Sequence, residues 1–144
     1  MHSHHLAAED HAFSAAFESF RIAPAQFNHE AHVRMAYIYL AQFDVEAAVQ
    51  RMRGALQAFL QHNEIPPSKF HETLTRAWIL AVRHFMDKGS SASAADFIAR
   101  NPELLDSRIM LTHYSARVLF SADARASYVE PDLEPIPRPP GLAR

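Results

Sequence analysis

The stretch Phe27–Phe43, FNHEAHVRMAYIYLAQF, predicts a central helix in an all-α fold. Asn28 is a good N-cap, and the apolar Phe27 just before it can act as a hydrophobic staple. Inside the predicted helix only Glu30 and Arg34 are charged, and apolar side chains cover nearly the whole circumference. A helix that is apolar on almost every side is normally buried among other helices.

A second stretch with the same opening follows at His71–Phe85, HETLTRAWILAVRHF. Both stretches begin His-Glu-x-x-x-Arg, and the matching residues are His29, Glu30 and Arg34 in the first and His71, Glu72 and Arg76 in the second. The simplest interpretation of this pattern is structural. A Glu in the first turn favours the helix dipole, and Glu with Arg four residues on forms an ordinary helix pair worth about 0.3–0.5 kcal/mol.

The composition excludes several functional classes. The 144 residues carry a net charge of −2, so no basic surface favours nucleic acid. The absence of cysteine excludes disulfides and thiolate metal ligands. The sequence predicts no transmembrane helix and no secretory signal, so we expect a cytoplasmic protein without a membrane partner.

The remaining chain predicts further helices joined by short connections. We expect a single-domain antiparallel bundle of four to six helices over residues 1–129, of which residues 1–5 are flexible, and an extended Pro-rich tail over residues 130–144. The other predicted helices span Leu6–Phe20, Val45–His62, Ser68–Gly89, Ser93–Arg100 and Ser107–Phe120. Asp44, Ser68 and Ser93 are their expected N-caps.

The predicted topology brings the two His-Glu openings to one end of the bundle. Because short links make sequential helices antiparallel, the helices that start near Asn28 and Ser68 run parallel to each other. We therefore expect His29, His32 and His71 to lie close together. Three neutral imidazoles with an open position can hold a catalytic metal ion, and zinc, iron, nickel or copper suits nitrogen ligands better than calcium.

The rest of the predicted site is a small-molecule pocket around these histidines. Glu72 or Glu30 can act as the general base or support the metal. The expected pocket residues are Arg76, Trp78, Tyr39, Tyr114 and Arg125. Two alternatives stay open at this point. One is a metal-free site in which the histidines hold a polar or anionic ligand, and the other is an interaction module that forms a homodimer or docks a partner.

The motifs F-x-H-x-x-H-V-R-x-A at Phe27–Ala36 and H-E-T-x-T-R-x-W at His71–Trp78 resemble those of a group of small bacterial helical proteins. The resemblance extends over about residues 27–137, including YSARVLFSADAR at Tyr114–Arg125. We know of no activity assigned to that group, so the resemblance implies a helical fold but no catalytic residues.

A more local likeness concerns NHEAHVR at Asn28–Arg34, which resembles the final metal-binding helix of DinB-type four-helix bundles. That helix carries His-x-x-x-His followed by Arg, whereas here Val33 occupies the second histidine position and His32 comes one place early. The other DinB histidine lies upstream, while His71 lies downstream. The likeness therefore implies a metal at one end of the bundle by analogy only.

Overall fold

The computed structural model describes residues 2–139 and confirms the all-α fold. The α-helices are α1 (Ala8–Glu18), α2 (His29–Gln42), α3 (Val45–His62), α4 (Glu72–Met86), α5 (Ala94–Arg100), α6 (Ala116–Leu119) and α7 (Ala122–Ala126). Short 3-10 segments occupy Pro24–Gln26, Pro67–Lys69, Pro102–Leu105 and Ser107–Thr112. Within residues 2–139, no helix combines the length and the apolar character that crossing a membrane requires.

Side-chain caps fix the starts of α2 and α3 where the sequence predicts them. The Asn28 carboxamide oxygen accepts a hydrogen bond from the Ala31 N–H at 3.0 Å. The Asp44 carboxylate accepts one from the Ala47 N–H at 2.9 Å. Each bond satisfies an amide that has no partner within its own helix, which contributes about 1 kcal/mol.

The helices α2, α3 and α4 pack pairwise and surround the core of the bundle. Large side chains fill its interior completely, among them Tyr37, Tyr114, Phe17, Phe97, Met35 and Met52. Burying each such side chain contributes about 1.5–3 kcal/mol. The contact of His29 at the start of α2 with Trp78 in the second turn of α4 confirms that these two helix starts lie at the same end.

The charged residues of the two motifs pair between helices rather than within them. Arg53 of α3 donates two hydrogen bonds of 2.7 Å to Glu72. Arg76 binds Glu46 of α3 at 2.7 Å. The predicted helix pair of Glu72 with Arg76 is therefore wrong, because an antiparallel neighbour presents a better-placed partner to each side chain.

The predicted pair of Glu30 with Arg34 is also replaced. Arg34 reaches back to α1, where its guanidinium lies 3.7 Å from Asp10 and over the ring of Phe13. Glu30 is left exposed at the surface. Asp10 is completely buried, so a buried carboxylate attracts Arg34 more strongly than an exposed one does.

The start of α4 differs from the prediction. Pro67–Lys69 forms a separate 3-10 turn, and α4 begins only at Glu72. The N-cap is His71, whose ring nitrogen Nδ1 accepts a hydrogen bond from the Leu74 N–H at 3.1 Å. Ser68 is therefore not the cap. The helix also ends at Met86, three residues before Gly89.

The helix predicted over Ser107–Phe120 is wrong, because short polar side chains divide this segment. Ser115 caps α6 by accepting from the Val118 N–H, and Ser121 caps α7 by accepting from the Ala124 N–H. Such local side-chain bonds compete with a continuing helix. The chain therefore folds over the end of the bundle in short turns, and this places residues 107–120 beside the start of α2.

The N-terminal segment, expected to be flexible, is hydrogen-bonded from Ser3 onward. Ser91 pairs with it on both sides, since the His5 N–H donates to the Ser91 carbonyl and the Ser91 N–H donates to the Ser3 carbonyl. The Nε2–H of His4 donates to the Met86 carbonyl at 2.7 Å. The Tyr37 hydroxyl donates to the His5 carbonyl at 2.9 Å. These contacts hold the segment against α2 and α4.

The described part of the Pro-rich tail, residues 130–139, is extended as expected and packs on the bundle. The Leu133 N–H donates to the His113 carbonyl, and Ile136 is buried in the core. Arg138 forms an ion pair with Glu130 at 2.8 Å. The last five residues of the predicted tail, 140–144, lie outside the described residues.

Candidate functional site

A cleft of about 540 Å³ opens where α2, α4 and the 107–120 segment meet. This volume is within the usual range of small-molecule sites, about 300–1,000 Å³. Its lining residues are Phe27, Asn28, His29, His32, Leu74, Trp78, Ser107, Arg108, Met110, Leu111, Leu119 and Phe120. The cleft lies at the end of the bundle where the sequence predicts a site, but its composition differs from the prediction.

His29 is held in place by a hydrogen bond and an aromatic contact. Its Nε2–H donates to the Leu104 carbonyl at 2.9 Å. The ring packs against the edge of Trp78, with the centroids 4.5 Å apart and the planes inclined by 64°. Because Nε2 carries the proton in this bond, Nδ1 is the nitrogen that can accept a hydrogen bond from a ligand.

His32 lies one turn further along α2 and is partly buried. Its ring packs edge-on against Phe27 at 6.2 Å, so the predicted staple forms between these two residues. Burial away from water lowers the pKa of His32 to about 4, and the neighbouring His29 acts in the same direction. The imidazole is therefore neutral at pH 7. Within residues 2–139 its ring nitrogens form no hydrogen bond with the protein, and they are not sealed from solvent.

His71 is not part of the cleft. Its Nδ1 accepts from the Leu74 N–H, and its Nε2–H donates to the Leu119 carbonyl at 2.7 Å. Burial lowers the pKa of His71, which favours the neutral form that these two bonds require. Both ring nitrogens are therefore occupied, and the residue links the start of α4 to α6.

The structure consequently does not bring the three predicted metal ligands together. Residues 2–139 contain no group of three or more His, Cys, Asp or Glu side chains arranged to hold a metal ion. A metal bond to His71 would have to displace either its cap of α4 or its bond to Leu119. Binding of a zinc, iron, nickel or copper ion stays a prediction, and within the cleft it would depend on His29 and His32.

The two predicted catalytic carboxylates lie elsewhere. Glu72 is bound through both oxygens to Arg53 and is not among the lining residues. Glu30 is exposed on the outer side of the first turn of α2. Neither carboxylate therefore occupies a position from which it can act as a general base on a ligand in this cleft.

Of the predicted pocket residues, only Trp78 lines the cleft. The two arginines have other partners: Arg76 binds Glu46, and Arg125 donates to the Ser68 carbonyl at 3.2 Å. Long side chains can reach several neighbours, and the sequence does not indicate which of them is nearest.

The two predicted tyrosines are structural. Tyr39 donates to the Glu18 carboxylate at 2.6 Å and so joins α2 to α1. Tyr114 is fully buried and donates to the Val129 carbonyl at 2.7 Å. Because each hydroxyl is buried with a strong acceptor, the pKa of both phenols is raised by loss of solvation. They hold the bundle and the start of the tail together.

The residues that sequence reasoning missed come mainly from the segment after residue 106. Arg108 and Phe120 reach the cleft because the chain turns at Ser115 and Ser121 instead of continuing as one helix. Phe120 is 60% exposed and Leu111 is 42% exposed, which is unusual for large apolar side chains. The pair of serines spaced six residues apart is the signal in the sequence that indicates these turns.

The low pKa of His32 predicts a specific pH dependence of stability. Between about pH 6.5 and 4 the unfolded chain binds a proton at this histidine and the folded chain does not, so stability falls as the pH falls. In this pH range we expect the free energy of unfolding of His32→Phe to fall by about 2–3 kcal/mol less than that of the unmodified protein. Urea unfolding at several pH values measures it, with the exposed His11→Gln as the matched control. If the free energy of unfolding depends on pH equally in His32→Phe and in the unmodified protein, His32 is not the source of the acid-induced loss of stability.

Comparison of the chain with protein-family models, with curated proteins and with solved structures finds no match. The geometry of the cleft is therefore the physical basis on which a function can be inferred.

Proposed function

We propose that the cleft at the start of α2 binds a small molecule with an apolar body and a polar oxygen, without requiring a metal ion. His32 supports this proposal most directly. It is a neutral imidazole in a mainly apolar cleft, and within residues 2–139 its nitrogens have no hydrogen-bond partner. In the described part of the chain its ring nitrogens are not among the buried polar atoms that lack a partner, so water reaches them in the free cleft. A ligand oxygen that replaces this water forms a hydrogen bond with a net value of about 0.5–1.5 kcal/mol.

The apolar walls define the body of the ligand. Trp78 is held firmly by its contact with His29, and Phe27 and Phe120 provide aromatic surface on the other sides. Aromatic side chains with a few placed polar groups are typical of small-molecule sites. A neutral His32 can donate to an oxygen or accept from a hydroxyl, so an alcohol, ketone or carboxylic acid fits this arrangement.

A fragment screen by thermal unfolding in the presence of a chelator tests the proposal. At tenfold excess over its Kd, a ligand of the folded state adds about 1.4 kcal/mol, which raises Tm by roughly 3–6 °C. We expect His32→Phe to bind oxygen-bearing fragments about tenfold more weakly, because the Phe ring offers no hydrogen bond to the fragment oxygen. Equal binding by the two proteins would contradict the proposal.

Metal binding is the second candidate, carried by the pair His29 and His32. Elemental analysis of untagged protein addresses it. Stoichiometric metal, together with loss of fragment binding in chelator, would replace the metal-free proposal with a metal-centred one. The chemistry in that case would include hydrolysis, isomerisation or oxidation.

Localisation, macromolecular partners and oligomeric state are inferred from the sequence and are proposals. We infer a cytoplasmic protein with no nucleic-acid or membrane partner, and a homodimer is the alternative use of the helix surfaces. Size-exclusion chromatography with light scattering, on the full chain and on a truncation after Glu130, measures the oligomeric state. A monomer in both cases would exclude the homodimer.

A further inference from the structure

The polar groups of the cleft include several hydrogen-bond donors and one permanent positive charge. Arg108, Ser107 and the Asn28 amide line it together with the two histidines. No Asp or Glu side chain is among the described residues that form its wall. His32 is neutral at pH 7, so Arg108 is the lining side chain that carries a positive charge at every accessible pH.

The Arg108 guanidinium is held in one orientation by its neighbour Asp106, whose carboxylate also offsets part of its positive charge. The guanidinium donates from Nε to Asp106 Oδ1 at 2.9 Å and from Nη2 to Oδ2 at 3.1 Å. The Arg108 backbone N–H also donates to Asp106, at 3.0 Å, which fixes the turn that carries both residues. A guanidinium has five N–H donors, so the Asp106 carboxylate leaves three of them for a second acceptor.

The position of Arg108 relative to the apolar wall indicates the class of ligand. Its side chain is 83% exposed, so it lies at the mouth of the cleft rather than in the interior. The apolar residues Leu74, Trp78 and Leu119 line the same cleft. A molecule that contacts both the apolar wall and the Arg108 guanidinium has an apolar, preferably aromatic, body with an anionic group at one end.

We infer that the cleft selects a carboxylate with an aromatic or alkyl body, and that Arg108 is the specificity-determining residue. This inference rests on the proposed small-molecule function. Carboxylate geometry matches the parallel N–H groups of a guanidinium, and charge-assisted bonds of this kind are stronger than those to a neutral hydroxyl. Because the guanidinium is exposed and already paired, solvent limits the gain to about 1.5- to fivefold in affinity.

The test compares two probes with the same body, phenylbutyrate and phenylbutanol. The chain has one tryptophan, Trp78, and it lies in the cleft, so its fluorescence reports binding of both probes. At pH 7.5 and low salt we expect the acid to bind about 1.5- to fivefold more tightly than the alcohol. Added salt is expected to reduce this preference because it screens exposed charges.

Two charge-matched variants identify the source of the preference. Arg108→Gln is expected to abolish the advantage of the acid, so that this variant binds the two probes with equal affinity. Arg117→Gln changes the net charge equally at an exposed position that does not line the cleft, and it is expected to keep the preference. The backbone bond from residue 108 to Asp106 does not depend on the side chain, so Arg108→Gln should fold normally, which circular dichroism checks.

The failures of the two proposals are distinguishable. If the unmodified protein binds the alcohol as tightly as the acid, or if Arg117→Gln loses the preference too, the carboxylate inference is overturned while the proposed cleft function stands. If neither probe gives saturable binding, both proposals are overturned for this class of ligand.

Discussion

Replacing Asp10 with Ala is expected to lower the free energy of unfolding by about 3–5 kcal/mol. The Asp10 side chain is completely buried, and its Oδ2 accepts from the Ala7 N–H at 2.9 Å and from the Ala94 N–H at 3.1 Å. Its other oxygen lies 3.7 Å from the Arg34 guanidinium. One carboxylate thus joins the starts of α1 and α5 to α2, and its loss leaves buried donors without acceptors.

Urea unfolding followed by circular dichroism measures this effect. Asp10→Asn keeps one acceptor oxygen but loses the charge, so we expect an intermediate loss of about 2 kcal/mol. Glu9→Ala is the matched control, since Glu9 is the exposed acidic neighbour in the same helical turn, and its effect should stay within about 0.5 kcal/mol. A loss below about 1 kcal/mol for Asp10→Ala would contradict the role given to this carboxylate.

Replacing His71 with Ala is the second large effect, and it separates a structural histidine from a metal ligand. The substitution removes the cap on the Leu74 N–H and the bond to the Leu119 carbonyl. Loss of a helix cap costs about 0.5–2 kcal/mol and loss of a buried hydrogen bond about 1–3 kcal/mol. We expect a total loss of about 2–4 kcal/mol, unchanged by a chelator.

His71→Asn refines the same test. The Asn oxygen is a good helix cap, so this variant should recover about 1 kcal/mol relative to His71→Ala while still lacking the bond to Leu119. Unfolding curves with and without chelator, and with added zinc, measure the difference. If His71→Ala matches the unmodified protein in chelator but is less stable when zinc is present, His71 is a metal ligand and the structural role is wrong.

The sequence predicts most of the central bundle because its signals are local. Asn28, Asp44 and Ser93 each precede an apolar helical pattern, and each accepts the predicted backbone hydrogen bond. A histidine cap such as His71 is not distinguishable in the sequence from a histidine inside the first turn. The sequence therefore predicts the start of α4 too early, at Ser68.

The site is only partly predictable because its contacts are long-range. The sequence correctly indicates that the starts of α2 and α4 share one end, and His29 does contact Trp78 there. It does not indicate that Glu72 binds Arg53 rather than Arg76, because helix spacing describes only neighbours within one helix. It also cannot place Arg108, whose position depends on where the 107–120 segment turns.

The segment around Ser115 illustrates the physical reason for that limit. Its apolar residues have helical spacing, yet three short polar side chains each cap the start of a separate short turn. These caps are Asp106, Ser115 and Ser121. The free energies of one long helix and several short turns are similar, and packing on the end of the bundle decides between them. The residues that form the outer wall of the cleft therefore become identifiable only in the fold.

The most direct test of a metal-free binding cleft at His32 is a titration of Trp78 fluorescence with phenylbutanol at pH 7.5 in the presence of a chelator. For a probe with about 11 non-hydrogen atoms we expect a Kd of about 4 mM, from about 0.3 kcal/mol per atom. We expect saturable binding by the unmodified protein and by His71→Asn, and about tenfold weaker binding by His32→Phe. No saturable change, or identical titrations for the unmodified protein and His32→Phe, would contradict a metal-free binding cleft at His32.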